Sequence, residues 1–180
     1  MGVYIFKGKT QEIVMEIRKV KISDAKGIND LLNSIIKEDI HWSVIKTTAL
    51  KTREKWLKEC VNKIKKGETI MYILEKKGEI IGMASAKRER DRRNHIWEIG
   101  YQIKENYRKT GLCTLLMTKL IESLKKNGAE SLIAWTVSTN NGSMDILNKF
   151  DFKIAGRIRK GVKFSNKNYA DYVLYQRMLE

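Results

Sequence analysis

The residue types that promise chemistry in this chain cluster between Glu98 and Leu116, EIGYQIKENYRKTGLCTLL. The segment reads as a strand, a basic turn around Gly111 and the first turns of an amphipathic helix. The first N–H groups of a helix have no partner within it and sit at the positive end of its dipole, so this arrangement receives anions. The N–H groups of Lys109, Thr110, Gly111, Leu112 and Cys113, with Thr114 in the first turn, are expected to cradle phosphate oxygens. Gly111 lets the backbone come close, and Arg108 and Lys109 bring two cations for charge-assisted contacts. The chemistry implied is recognition of a phosphate-bearing ligand.

Two other nucleotide motifs are excluded. Gly8-Lys9-Thr10 resembles the end of a P-loop, but the glycine required five positions earlier is Val3. No G-x-G-x-x-G follows any strand, which removes a nicotinamide or flavin reading.

The elements that position the turn follow from hydrophobic periodicity. Residues 1–12 form either an extra strand or an arm. Ile13–Val20 alternates as a half-buried strand does. Ser23-Asp24 caps a helix with Ile28, Leu31, Leu32, Ile35 and Ile36 on one face. Thr47 or Thr48 caps a second helix that runs to about Lys66. Thr69–Glu75 and Ile80–Ala86 form a hairpin about Lys76-Lys77-Gly78-Glu79, and Lys87–Arg93 is a charged loop. Ile96–Ile103 is a strand, Gly111–Lys126 a helix, Ser131–Val137 a strand and Gly142–Phe150 a short helix. Phe152–Ile158 and Asp171–Leu179 close the chain as a strand pair. The order β-α-α-β-β-β-α-β-α-β-β predicts one α+β domain over 1–180, with a mixed, mostly antiparallel sheet and helices on both faces. The strand-helix-strand unit at 96–137 supplies its parallel pair.

Composition bounds the function. The 180 residues carry 42% hydrophobic and 32% charged side chains, which suits a folded domain. No apolar run reaches the length of a membrane span and no signal pattern opens the chain, so a cytoplasmic location is expected. Two cysteines and two histidines, all far apart, speak against a disulfide framework or a metal site. The net charge of +15 attracts anions and disfavours polyamine substrates.

Arg108-Lys109-Thr110-Gly111-Leu112-Cys113 resembles R/Q-x-x-G-x-G/A, the acetyl-CoA pyrophosphate signature of the GNAT superfamily of N-acetyltransferases. Asn140, Lys149 and Phe152 match the family's N-x-x-A-x-x-L-Y-x-K-x-G-F pattern. The resemblance spans residues 13–179. Glu98-Ile99-Gly100-Tyr101 and the closing DYVLYQRML look most like the ribosomal-protein N-terminal acetyltransferase branch. Arg53-Glu54-Lys55-Trp56 is similar to the phosphinothricin acetyltransferase branch.

The resemblance implies the acyl-CoA N-acyltransferase fold, with acetyl-CoA as cosubstrate and no metal. Acetyl would pass directly to a primary amine: a protein N-terminus or lysine, or a small amine or amino acid. Glu98 would be the general base. Backbone at Tyr101 and Ile103 would pair with the pantetheine arm, a backbone N–H near Gly100–Ile103 would hold the oxyanion, and Asn140 would clamp the arm. The family's thiolate-protonating tyrosine falls at Leu147, so Tyr101, Tyr107 or Tyr172 would have to replace it. Cys113 and Asp151 stand where the family has small residues. Trp42 falls on the acceptor-gating loop. A homodimer stays open. The rival readings are an acyl-CoA sensor without turnover and, last, a nucleic-acid-binding module.

Overall fold

The computed structural model describes residues 2–7, 12–39, 44 and 46–179, with backbone alone for 2–7, 12 and 13. Gly8-Lys9-Thr10, His41 and Trp42 lie outside the described residues.

Eight strands form one sheet: β1 (Gly2–Lys7), β2 (Glu12–Lys19), β3 (Thr69–Lys76), β4 (Glu79–Arg88), β5 (Ile96–Ile103), β6 (Ser131–Val137), β7 (Lys153–Lys163) and β8 (Tyr169–Met178). Their order across the sheet is β1-β2-β3-β4-β5-β6-β8-β7. Every neighbouring pair is antiparallel except β5–β6. The helices are α1 (Ala25–Glu38), α2 (Leu50–Lys65), α3 (Leu112–Lys126) and α4 (Asn141–Lys149). Of the two options for the N-terminus, Gly2–Lys7 is an extra strand paired with β2.

Alternation along the strands divides the core in two. Met71, Ile73 and Met83 face α1 and α2, packing on Ile28, Leu31, Leu32 and Leu57. Tyr72, Leu74, Ala84, Trp97 and Ile99 face α3 and α4, packing on Leu116, Leu120, Leu124 and Leu147. The sheet is thus sandwiched between two helical layers, as the apolar stripes require. At Gly82 a Cβ would sit 2.6 Å from Ile103 Cδ1 and 3.2 Å from Leu116 Cδ1, so a side chain there would have to displace Ile103 and crowd Leu116 of α3.

Several boundaries differ from the sequence reading. Lys87 and Arg88 extend β4 instead of joining the charged loop, leaving Lys77 and Gly78 as the hairpin turn, both with positive φ. The last two strands are longer than expected, reaching Lys163 and starting at Tyr169. Nearly every β7 side chain is exposed, because β7 is an edge strand, so no alternation marked its end. Neither Thr47 nor Thr48 caps α2. Ala49 stands at the cap without a side-chain bond, while the Thr48 backbone N–H and C=O both bond the Asn33 carboxamide at 2.9 Å. Asp24 does stand at the start of α1, but its carboxylate accepts from the Lys21 N–H and from Arg18 instead of capping the helix.

Candidate active site

The parallel ladder between β5 and β6 is short. Ile96, Trp97 and Glu98 pair with Ser131, Leu132 and Ile133, and the pairing stops there. Beyond Glu98 the strands part, and a cleft of about 780 Å³ opens between them. β5 stays fixed on its other side, paired with β4 through Ile103. Lys104 N–H donates to Ile81 O at 2.8 Å. Ladder alternation therefore turns the N–H and C=O groups of Tyr101 and Ile103 away from β4, toward the cleft.

Glu98 is the last paired residue and lines the cleft, half-buried. A bridge from Glu98 to Arg92 or Arg93 is the structural alternative to a catalytic role. Arg93 instead pairs with Glu89 at 2.7 Å. Among the described residues no hydrogen bond or ion pair engages the Glu98 carboxylate.

The turn before α3 ends on Gly111, with φ +84° and open space where a Cβ would project. The helical ladder begins with Leu115 N–H donating to Gly111 O at 3.2 Å. The N–H groups of Gly111, Leu112, Cys113 and Thr114 meet no acceptor among the described residues. This row of four donors at a helix start fits a phosphate group. Lys109, exposed and also at positive φ, stands beside it. Across the row, Lys149 Nζ on α4 donates to Thr114 Oγ1 at 3.4 Å. The sequence reading matched Lys149 to a family pattern without assigning it to the site. Its proximity to Thr114 depends on how α4 docks, which spacing does not reveal.

The expected site residues are distributed as follows. Glu98, Tyr101, Ile103, Arg108, Lys109, Gly111, Cys113, Thr114 and Asn140 line the cleft. Leu112 is buried in the core and contributes its N–H alone. The Thr110 hydroxyl donates to Tyr107 O at 2.6 Å, inside the turn. The free phosphate-binding cation expected at Arg108 is not what the structure shows. Its guanidinium meets both Glu38 carboxylate oxygens at 2.7 Å and donates through Nε to Ile103 O at 3.0 Å. The partner is seventy residues away on α1 and invisible to a local motif. Asn140 caps α4, its Oδ1 accepting the Ser143 N–H at 3.0 Å, and its NH2 group meets no acceptor among the described residues. Burial pushes the Cys113 thiol up to about 12, so it stays protonated and fills space.

Leu147 is fully buried and away from the cleft, while Tyr101, Tyr107 and Tyr172 all line it. The Tyr101 hydroxyl bonds Ser143 at 2.9 Å to Oγ and 3.1 Å to the carbonyl, and burial pushes its pKa up. Tyr107 accepts from Lys76 Nζ at 3.4 Å. Tyr172 stacks on Trp135, with ring centroids 4.6 Å apart. Trp135 also lines the cleft.

A parted parallel strand pair ending beside a donor-rich helix start can receive a long ligand with phosphate groups at one end. The sequence profile of the acetyltransferase (GNAT) family matches residues 36–152, well over half of the chain. The chain belongs to the GNAT acetyltransferase family. The GNAT fold extends beyond the matched segment. An N-acetyltransferase from Staphylococcus aureus Mu50 superposes with a TM-score of 0.82 at 22% identity, covering 92% of this chain and 99% of that one. A ribosomal-protein-alanine N-acetyltransferase from Brucella melitensis gives 0.81 at 21% identity, with coverages of 91% and 99%. A ribosomal-protein-S5-alanine acetyltransferase from Vibrio fischeri gives 0.80 at 18%, covering 97% and 96%. This GNAT chain is an acetyl-CoA-dependent N-acetyltransferase. Among its described residues, no helix is long and apolar enough to cross a membrane.

Proposed function

We propose that this GNAT enzyme acetylates a primary amine in the cleft at Glu98, and that the amine belongs to a protein N-terminus or lysine, or to a small amine or amino acid. The observation that carries the reading is the position of Glu98. It is a carboxylate without a partner among the described residues, held where β5 and β6 part. The likeness of fold to ribosomal-protein acetyltransferases supports a protein acceptor.

Acetyl-CoA brings the electrophilic thioester carbon. The N–H groups of Gly111 to Thr114 hold its pyrophosphate, with Lys109 and Lys149 as the nearby cations. The Tyr101 C=O and the Ile103 N–H face the pantetheine amides, and the Asn140 NH2 adds a donor. Glu98 takes a proton from the amine, directly or through one water. The Tyr101 N–H is the oxyanion donor. The new N–C bond forms as the C–S bond breaks, and sulfur leaves with a proton from one of the cleft tyrosines or from solvent.

Titration calorimetry with acetyl-CoA tests the reading. The wild type is expected to bind, and Lys109→Glu with Lys149→Glu is expected to weaken binding by about tenfold or more. Absence of binding by the folded wild type overturns it.

A further inference from the structure

The wall of the cleft on the α1 side narrows the acceptor. Glu98 and Gln102 project to this face from β5, since residues two apart share a face and Tyr101 points instead to Ser143 on α4. Glu98 is in register with Ile133, so Trp135, two residues on, shares its face beyond the fork. Tyr172 joins from β8, its ring stacked on Trp135 at 4.6 Å with 16° between the planes. Val137 and Ile35 of α1 complete the wall.

Glu98 is the one charged side chain among these six. Arg108 reaches the α1 side, but its guanidinium is spent on Glu38 and Ile103 O. Lys87, opposite Glu98 on β4, is exposed, makes no ion pair with it among the described residues and does not line the cleft. A carboxylate beside a stacked aromatic pair receives an ammonium group, by Coulomb attraction and by the π-face. A second carboxylate on the carbon next to that ammonium would face Glu98 with no cation among these six wall residues to offset it.

We propose that the acceptor is a primary amine with no carboxylate on the carbon that bears it, received by Glu98 and the Trp135–Tyr172 stack. A polypeptide N-terminus or an uncharged alkylamine fits, and a free α-amino acid does not. The inference rests on the transfer reading above and sharpens it.

The test is acetyl-CoA-dependent thiol release by the full chain with alanine, alaninamide, an alanyl tripeptide and isopropylamine. Isopropylamine is at least as basic as alanine, so it separates charge from basicity, and the tripeptide against isopropylamine separates a polypeptide source from a simple amine. Alanine is expected to have kcat/KM on the order of 100-fold below the acceptors without the carboxylate. Trp135→Leu is expected to raise the KM of the best acceptor about tenfold while leaving the KM of acetyl-CoA in place, and Trp135→Phe, which keeps a ring on Tyr172, to restore most of it. Alanine turned over within threefold of isopropylamine overturns this inference and leaves acetyl transfer standing. Thiol release with none of the four amines overturns the transfer reading and this inference with it.

Discussion

Glu38 and Arg108 meet in a two-pronged ion pair, each guanidinium nitrogen 2.7 Å from its own carboxylate oxygen. Glu38 is the last residue of α1, and Arg108 stands three residues before Gly111. The same guanidinium bonds Ile103 O at the end of β5. One side chain therefore ties α1, the end of β5 and the turn before α3 together. Both charges are partly buried, so removing one strands the other, at a cost of roughly 1–3 kcal/mol. Glu38→Gln is expected to lower Tm and weaken acetyl-CoA binding by loosening the turn. The exchange Glu38→Arg with Arg108→Glu is expected to recover part of the Tm but not the acetyl-CoA binding, because a glutamate at 108 cannot donate to Ile103 O and repels phosphate. Calorimetry reads the sign: tighter acetyl-CoA binding by Glu38→Gln would mean that Arg108, once freed, binds phosphate itself.

Glu98→Gln keeps the shape of the fork and removes the proposed base. Turnover is expected to fall by about 10²–10⁴, with acetyl-CoA affinity within about twofold of wild type. Stopped-flow thiol release measures the first and calorimetry the second. Turnover within a factor of three of wild type would move the base elsewhere in the cleft.

Leu147 marks the limit of reading function by pattern. Aligned with a family tyrosine, it looks like a lost proton donor, yet in the structure it is fully buried and packed into the core under α3. Leu147→Tyr would bury a hydroxyl and overfill a close-packed site, costing roughly 1–3 kcal/mol and lowering Tm by several degrees. No gain in kcat is expected. A faster variant with unchanged Tm would show that the hydroxyl reaches the cleft after all.

What could be read from the sequence and what could not divide along range. The apolar stripe of α1, the alternation of β2 and the glycine turn before α3 are local patterns, and all three stand within a residue or so of where the sequence placed them. The Arg108–Glu38 bridge joins residues from different layers, and the Trp135–Tyr172 stack depends on the β6–β8 register, which no local spacing encodes. β7 hid its extent because an edge strand wet on both faces has no alternating signal. Asn33 took the Thr48 backbone that a cap at α2 would have needed, a competition that exists only once α1 lies beside it.

The opposite end of α1 carries a pH dependence. Arg18 bonds both Asp24 carboxylate oxygens, at 2.7 and 2.9 Å, and also Glu75 at 2.7 Å. Burial alone would raise the Asp24 pKa, but Arg18 and the Lys21 N–H outweigh it and hold the carboxyl below its ordinary 3.8. A carboxylate with a depressed folded-state pKa stabilises the fold fully above its unfolded pKa, and that contribution disappears as pH falls through the folded value. Asp24→Asn is therefore expected to lower Tm at pH 7, and the gap from wild type is expected to close below about pH 4. Thermal melts of the two proteins across this range decide the point, and a gap that stays constant into acid would assign the loss to shape instead of charge. Because α1 carries Ile35 to the cleft and Glu38 to Arg108, the same acid window is expected to weaken acetyl-CoA binding in the wild type before the sheet unfolds.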